Sequence, residues 1–211
     1  MNLKVRANEM RSFFNSKIDS YDQVHESFMD TKKALVESLD DNTFKVLDLG
    51  AGTGLELIYL FERFPNINVT VIDVSENMLR KLKNRDFEGN VNCICGDFFE
   101  VDFGNDYDAV ISTSALHHFN EVDKLRLYKK VLSCLKDNGL FINCDKVALS
   151  IEEQEKCLRD YNDNPNMRPH MDTPLTKDNE VKILNEAGFS SVLDIESVLL
   201  KDNYALIKAV K

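Results

Sequence analysis

Basic residues are in short supply in this chain. Acids outnumber Lys and Arg by 36 to 26, a formal charge of -10 over 211 residues, so the long-range field opposes approach to phosphate backbones and anionic membranes. The shortage is sharpest between Arg85 and Lys124, where no Lys or Arg occurs although Asp86, Glu88, Asp97, Glu100, Asp102, Asp106, Asp108, Glu121 and Asp123 are all present. Nucleic acid is therefore not the expected partner. Long apolar runs are missing as well: nothing approaches the ~20 residues of a membrane span, and Met1 to Met10 carries charges where a signal peptide would have its apolar centre. No membrane association is expected, and the expected location is cytoplasmic. Cysteine occurs five times (Cys93, Cys95, Cys134, Cys144 and Cys157) but never as C-x-x-C, so neither a disulfide framework nor a zinc site is indicated. Cys93 and Cys95 fall on one face of an apolar strand, where packing is the expected role. No metal is expected.

Repeats and low-complexity tracts are also absent. With 43% apolar and 29% charged residues, the composition is that of one globular domain spanning residues 1–211. From Lys45 onward, short β-rich runs alternate with helical stretches, as in a parallel sheet built from βαβ units. Strands are expected at Lys45 to Leu49, Val69 to Asp73, Val91 to Cys95, Asp108 to Ser112 and Leu140 to Cys144. Between them, Leu57, Leu60, Phe61 and Phe64 mark a helix from Leu55 that Pro65 ends. Val122, Leu125, Tyr128, Val131, Leu132 and Leu135 mark another over Glu121 to Lys136, with Asn138-Gly139 as the turn beyond it.

Two regions flank this core. Residues 1–43 read as a helical cap, with Val24, Phe28, Leu35, Val36 and Leu39 available for packing, ahead of a ligand-binding core over 44–145. In the second cap, 146–176, Ser150 and Glu153 form a capping box that opens a helix to about Tyr161. Three of the four prolines (Pro165, Pro169 and Pro174) then predict a semi-rigid connection over the surface from Asp163 to Thr176. In 177–211, a helix from Lys177 to Ala187 is stopped by Gly188. Val192 to Leu200 and Tyr204 to Val210 are joined by only Lys201-Asp202-Asn203, so they form an antiparallel hairpin.

The strongest chemical signal is Val46-Leu47-Asp48-Leu49-Gly50-Ala51-Gly52-Thr53-Gly54, a strand running through a glycine-rich turn into a helix. Glycines let the backbone approach a ligand, and the helix start offers unpaired N–H groups to an anion. A dinucleotide-binding G-x-G-x-x-G requires glycine at position 55, which here is Leu55. Asp73 ends the second strand 23 residues after Gly50, placed to accept both hydroxyls of a ribose. Ser75 caps the next helix, and Met78 is free to lie against a ring or to pack in the core. Asp97 could accept an amino group of a base while Phe98 packs on its edge.

Taken together, GAGTG, Asp73, Gly96-Asp97, DAVISTSALHHF and NGLFINCD resemble the class I S-adenosylmethionine (SAM)-dependent methyltransferases over residues 44–145. The chain looks most like small bacterial members grouped with ubiquinone-type or wobble-uridine tRNA methyltransferases. The resemblance implies a doubly wound α/β fold with a seven-stranded sheet ordered 3-2-1-4-5-7-6, the last strand antiparallel. It also implies SAM as cofactor: its methionine part on Gly50, Ala51, Gly52 and Gly54, its ribose on Asp73, and its adenine near Val74, Met78, Asp97 and Phe98. The methyl group falls near Ser112 and Thr113, and Asp48 supports the loop or the cofactor amine.

The sulfonium methyl of SAM is already activated, so the protein's main task is to align an acceptor behind it and exclude water. For a hydroxyl or acidic carbon a general base helps, and His118, next to His117 after the fourth strand, is the candidate catalytic residue. Both histidines could instead serve packing and the turn. Tyr21, His25, Asp145, Arg168 and His170 are further candidates for acceptor contact. The expected function is methyl transfer to a small-molecule acceptor. The alternatives are a tRNA methyltransferase, another SAM-using enzyme on the same fold, and a non-catalytic SAM-binding subunit. The acceptor's identity and the oligomeric state do not follow from the residues.

Overall fold

Strand β1 (Lys45–Leu49) is buried at every position after its first, the pattern of a parallel strand covered on both faces. In the structure, a computed structural model, residues 3–87, 89–164, 172–194 and 203–211 are described. The cap comprises α1 (Leu3–Lys17), α2 (Tyr21–His25), a 3-10 turn (Glu26–Phe28) and α3 (Met29–Glu37). After β1 come α4 (Leu55–Arg63), β2 (Asn68–Asp73), α5 (Glu76–Lys83), β3 (Asn90–Cys95), β4 (Tyr107–Thr113), a second 3-10 turn (Leu116–His118), α6 (Glu121–Cys134) and β5 (Leu135–Lys146). The chain continues through α7 (Ile151–Asp163), α8 (Lys177–Ala187), β6 (Ser191–Asp194) and β7 (Tyr204–Val210).

The seven strands form one sheet ordered β3-β2-β1-β4-β5-β7-β6, with β7 antiparallel to both neighbours. Period-two alternation divides its side chains between two cores. Leu47, Val110 and Phe141 pack with residues of α6 and α8 on one face, while Val46, Ile111 and Ile142 pack with residues of α3, α4 and α5 on the other. This arrangement gathers the carboxyl ends of β1, β2 and β4 at one edge, where ligands bind in open α/β sheets. No helix among the described residues is long and apolar enough to cross a membrane.

Helix ends follow local chemistry. The Ser150 hydroxyl accepts from Glu153 N–H, but the returning Glu153 carboxylate reaches Leu149 N–H rather than the cap's own. At the end of α8, Gly188 takes φ 108 and Phe189 N–H reaches back to the Leu184 carbonyl, a Schellman closure.

Four sequence expectations change. Helix α6 stops at Cys134 rather than Lys136, because Leu135 pairs with Tyr107 as the first residue of β5 and is buried in the core. Pairing resumes at Leu140 opposite Ala109, and residues 136–139 bulge out with Asn138 at φ 62. The chain from 172 to 176 does not run over the surface: Thr173 and Leu175 are buried, their backbone groups paired with the His117 carbonyl and Ala148 N–H. Cys95 is exposed rather than packed, since β3 is an edge strand. The acidic run from Asp86 to Asp123 does not act as one patch against phosphate, because Asp108 binds Phe44 N–H, Lys45 N–H and Lys136 at the opposite end of the sheet from the glycine turn. Glu88, Arg168, His170 and the second half of the Val192 to Leu200 strand lie outside the described residues.

Candidate functional site

Between β1 and α4 the chain turns through Gly50, Gly52 and Gly54, all at positive φ (79, 52 and 74°). At Gly50 the constraint is spatial as well: an added Cβ would sit 2.4 Å from the Ala115 Cβ, where the ends of β1 and β4 converge. Asp73 ties this turn to the next. One carboxylate oxygen accepts Gly52 N–H at 2.9 Å and the other Ser75 N–H at 2.8 Å. Burial raises the Asp73 pKa to about 6 despite those two donors, which pull it down.

The cap closes over the turn. Tyr21 lies against Gly52, its hydroxyl 3.1 Å from where a Cβ would be. Asp22 anchors α2 by accepting from Thr53 Oγ1 and Arg85, both at 2.6 Å, and Arg11 of α1 donates to the Val74 carbonyl at 3.0 Å. Beneath the cap is a mainly apolar cavity of about 690 Å³, its open mouth included. Its floor is Gly50, Gly52 and Asp73, and one wall is Val74, Met78, Asp97 and Phe98. Ser114, Ala115, His118 and Phe119 form the other wall, and Ala7, Met10, Phe14 and Tyr21 form the roof.

Behind the turn sits a second, ionic layer. Lys32 of α3, 4% exposed, donates to Glu56 Oε2 at 3.1 Å and to Thr113 Oγ1 at 2.9 Å. Among the described residues, no N–H or O–H reaches either oxygen of Asp48 or Oε1 of Glu56. Burial first, and then the Glu56 charge, raise Asp48 well above the usual carboxylate range, which favours a proton shared between one oxygen of Asp48 and one of Glu56.

The turn after β4 presents two histidines to different surroundings. His117 is buried, with Nδ1 2.5 Å from Asp145 Oδ1. The other Asp145 oxygen accepts the Leu116 and His117 N–H groups. Burial would lower the His117 imidazole, but Asp145 and then Asp172 outweigh it and raise its pKa to about 9. His118 faces the cavity and meets Phe14 edge to face, with ring centroids 5.7 Å apart.

Of the residues picked out by sequence, Gly50, Gly52, Asp73, Val74, Met78, Asp97, Phe98, His118 and Tyr21 are brought together around the cavity. Asp48, Ala51, Gly54 and Thr113 are not among its lining residues. Ala51 packs in the core, and a Cβ on Gly54 would meet Leu82 of α5 at 2.8 Å. Asp145 braces the histidine turn, and His25 stacks on Tyr21 at 4.0 Å. Sequence reasoning missed Lys32, Glu56, Asp172 and the roof residues Met10 and Phe14. The last two share a helical spacing with Ala7 on α1 that could have marked them, whereas an isolated charge on a helix reads as solvent-facing.

Residues 46–139 match the family model of a methyltransferase domain. Along 96% of its length the chain is 24% identical to a carboxy-S-adenosyl-L-methionine synthase of Nautilia profundicola, covering 92% of that protein. It is 29% identical to a malonyl-[acyl-carrier protein] O-methyltransferase of Priestia megaterium over 58% of this chain, which spans about half (47%) of that relative. The magnesium protoporphyrin IX methyltransferase of Synechocystis, solved with bound S-adenosylhomocysteine (SAH), superimposes with a TM-score of 0.71 at 17% identity, over 95% of this chain and 97% of that one. Sheet order, glycine turn and domain match agree: the chain has the fold of the class I SAM-dependent methyltransferases, with residues 46–139 matching a methyltransferase domain.

Proposed function

We propose that the chain transfers the methyl group of SAM to a small-molecule acceptor that enters beside His118, releasing SAH. The observation that carries this reading is a single roofed cavity that joins the glycine turn to the end of β4. The lining fits SAM: Gly50 and Gly52 leave space at the helix start for a carboxylate, and Asp73 and Asp97 give the chamber the sign that suits a cationic sulfonium. Bound SAM supplies an electrophilic methyl group. Asp73 would accept ribose hydroxyls, and Met78 and Phe98 would pack on adenine, with Asp97 and Val74 at its edge. Phe14, Met10 and Tyr21 would keep water from the methyl group, and His118 is the lining group able to take a proton from an acceptor. The roof of α1 and α2 residues narrows the approach to the methyl group, which favours a small acceptor.

A second reading comes from the carboxy-SAM synthase relative, which aligns along nearly the whole chain. In that reading the SAM methyl loses a proton and takes a carboxyl group from a carboxyl-donating co-substrate, and SAH is not the product. No Lys or Arg occurs among the described lining residues, which leaves a carboxylate product without a cationic partner and favours methyl transfer. The test is to incubate the protein with SAM and a deproteinised small-molecule extract and weigh the products. SAH together with a methylated small molecule supports the proposal, whereas a carboxylated SAM supports the second reading. Methyl incorporation into bulk tRNA, with steeply salt-dependent binding, would replace both with nucleic-acid modification.

A further inference from the structure

Two histidines and an aspartate from distant parts of the chain converge beside the cavity. His117 Nε2 and His118 Nδ1 each lie 3.4 Å from Asp172 Oδ1, and the three ligand atoms are all within 4.8 Å of one another. A separation of 3.4 Å is long for an N–H···O bond, which is about 2.7–3.2 Å. It matches the edge of a tetrahedron about an ion with bonds of about 2.1 Å, which is roughly 3.4 Å.

The surroundings orient each ligand. Asp145 takes the Nδ1 side of His117 at 2.5 Å, which directs Nε2 towards Asp172, as carboxylates behind metal-bound histidines do. Lys146 holds Asp172 Oδ2 at 2.8 Å, leaving Oδ1 as the oxygen that faces both rings. Thr173 N–H donates to the His117 carbonyl at 2.8 Å, fixing the segment that carries Asp172 to the histidine turn.

We propose that His117 Nε2, His118 Nδ1 and Asp172 Oδ1 bind a divalent first-row transition ion. Two imidazoles and one carboxylate suit zinc, cobalt(II) or iron(II) rather than magnesium or calcium, and three protein ligands leave a position for water or a substrate. His118 places the site on the cavity wall. If the acceptor enters there, as in the reading above, the ion would take an acceptor oxygen and acidify its hydroxyl, with His118 acting as ligand rather than base. That last step rests on the methyltransfer reading, whereas the metal site does not.

The test is to strip the full-length protein with chelator, titrate it with Co²⁺ while following visible absorption, and measure Zn²⁺ binding by calorimetry. One ion per chain is expected, with Zn²⁺ displacing Co²⁺. Asp172→Asn and His118→Ala should each lose the saturable site, and Asp145→Asn should weaken it about 10–100-fold. Melting curves identify folded variants, with His118→Gln as a second route to the same answer. Absence of saturable binding, or an unchanged stoichiometry and spectrum in the folded variants, overturns the proposal. SAH titrations on the same samples report separately on the cofactor site.

Discussion

Replacing Lys32 with Met should destabilise the protein far more than a surface charge change would. The Lys32 ammonium is 4% exposed, and its partners Glu56 and Thr113 are buried. Deleting it leaves two buried carboxyls, Glu56 and Asp48, with the Thr113 hydroxyl donating to Glu56 and, among the described residues, no cation beside them. Breaking a buried pair by removing one partner costs about 3–5 kcal/mol, a large share of the ~5–15 kcal/mol that holds a domain together. For a chain of this size, that corresponds to a fall in Tm of roughly 6–20 °C. Glu56 sits in the first turn of α4, directly after the glycine turn, so SAH affinity should fall with stability. The assay is urea unfolding of Lys32→Met, Glu56→Leu and the double variant as a thermodynamic cycle. The double variant should recover most of the loss, because an apolar pair of similar volume replaces a buried ion pair at little cost. A Lys32→Met change under ~1 kcal/mol, or additive losses in the double variant, would refute the buried-pair account.

Gly50→Ala should lose SAH binding and more than ~2 kcal/mol of stability, since left-handed strain of ~1–2 kcal/mol adds to a contact 2.4 Å from Ala115. Gly104→Ala, also at positive φ but with only the Tyr107 hydroxyl 3.7 Å away, should show the strain alone, and equal losses would discount the contact. SAH affinity should rise with pH through about 6 and level off above, because ribose hydroxyls bind the ionised form of Asp73. In the free protein the same raised pKa gives the opposite slope. The protonated form favours the fold, so stability falls as pH rises from the ordinary carboxylate value near 4 through about 6. Calorimetry and melts of wild type and Asp73→Asn across this range should show both slopes only in wild type.

Much of this architecture was legible because its signals are local. The β1 run, the glycine turn, the Ser75 and Ser150 caps and the Gly188 stop each depend on a few adjacent residues. The start of β5 was not, because Leu135 continues the apolar period of α6 and only its pairing with Tyr107 assigns it to the sheet. Thr173 and Leu175 looked like surface because prolines surround them, yet their burial depends on partners at His117 and Ala148. The same limit hid the ionic layer and Asp172. Lys32, Glu56 and Asp48 meet only once α3 has packed on α4, and His117 and Asp172 are brought together by the fold across α6, β5 and α7. Asp73 was found by position, but its hold on Gly52 and Ser75 N–H emerged only from the folded turn.

The most direct test of the central claim is calorimetric titration of the isolated protein with SAM, SAH and NAD under one set of conditions. Saturable binding of SAM and SAH at one site per chain, with no heat from NAD, is the predicted result. Saturable NAD binding with no response to either SAM or SAH would contradict the assignment of the glycine turn, Asp73 and the roofed cavity to SAM.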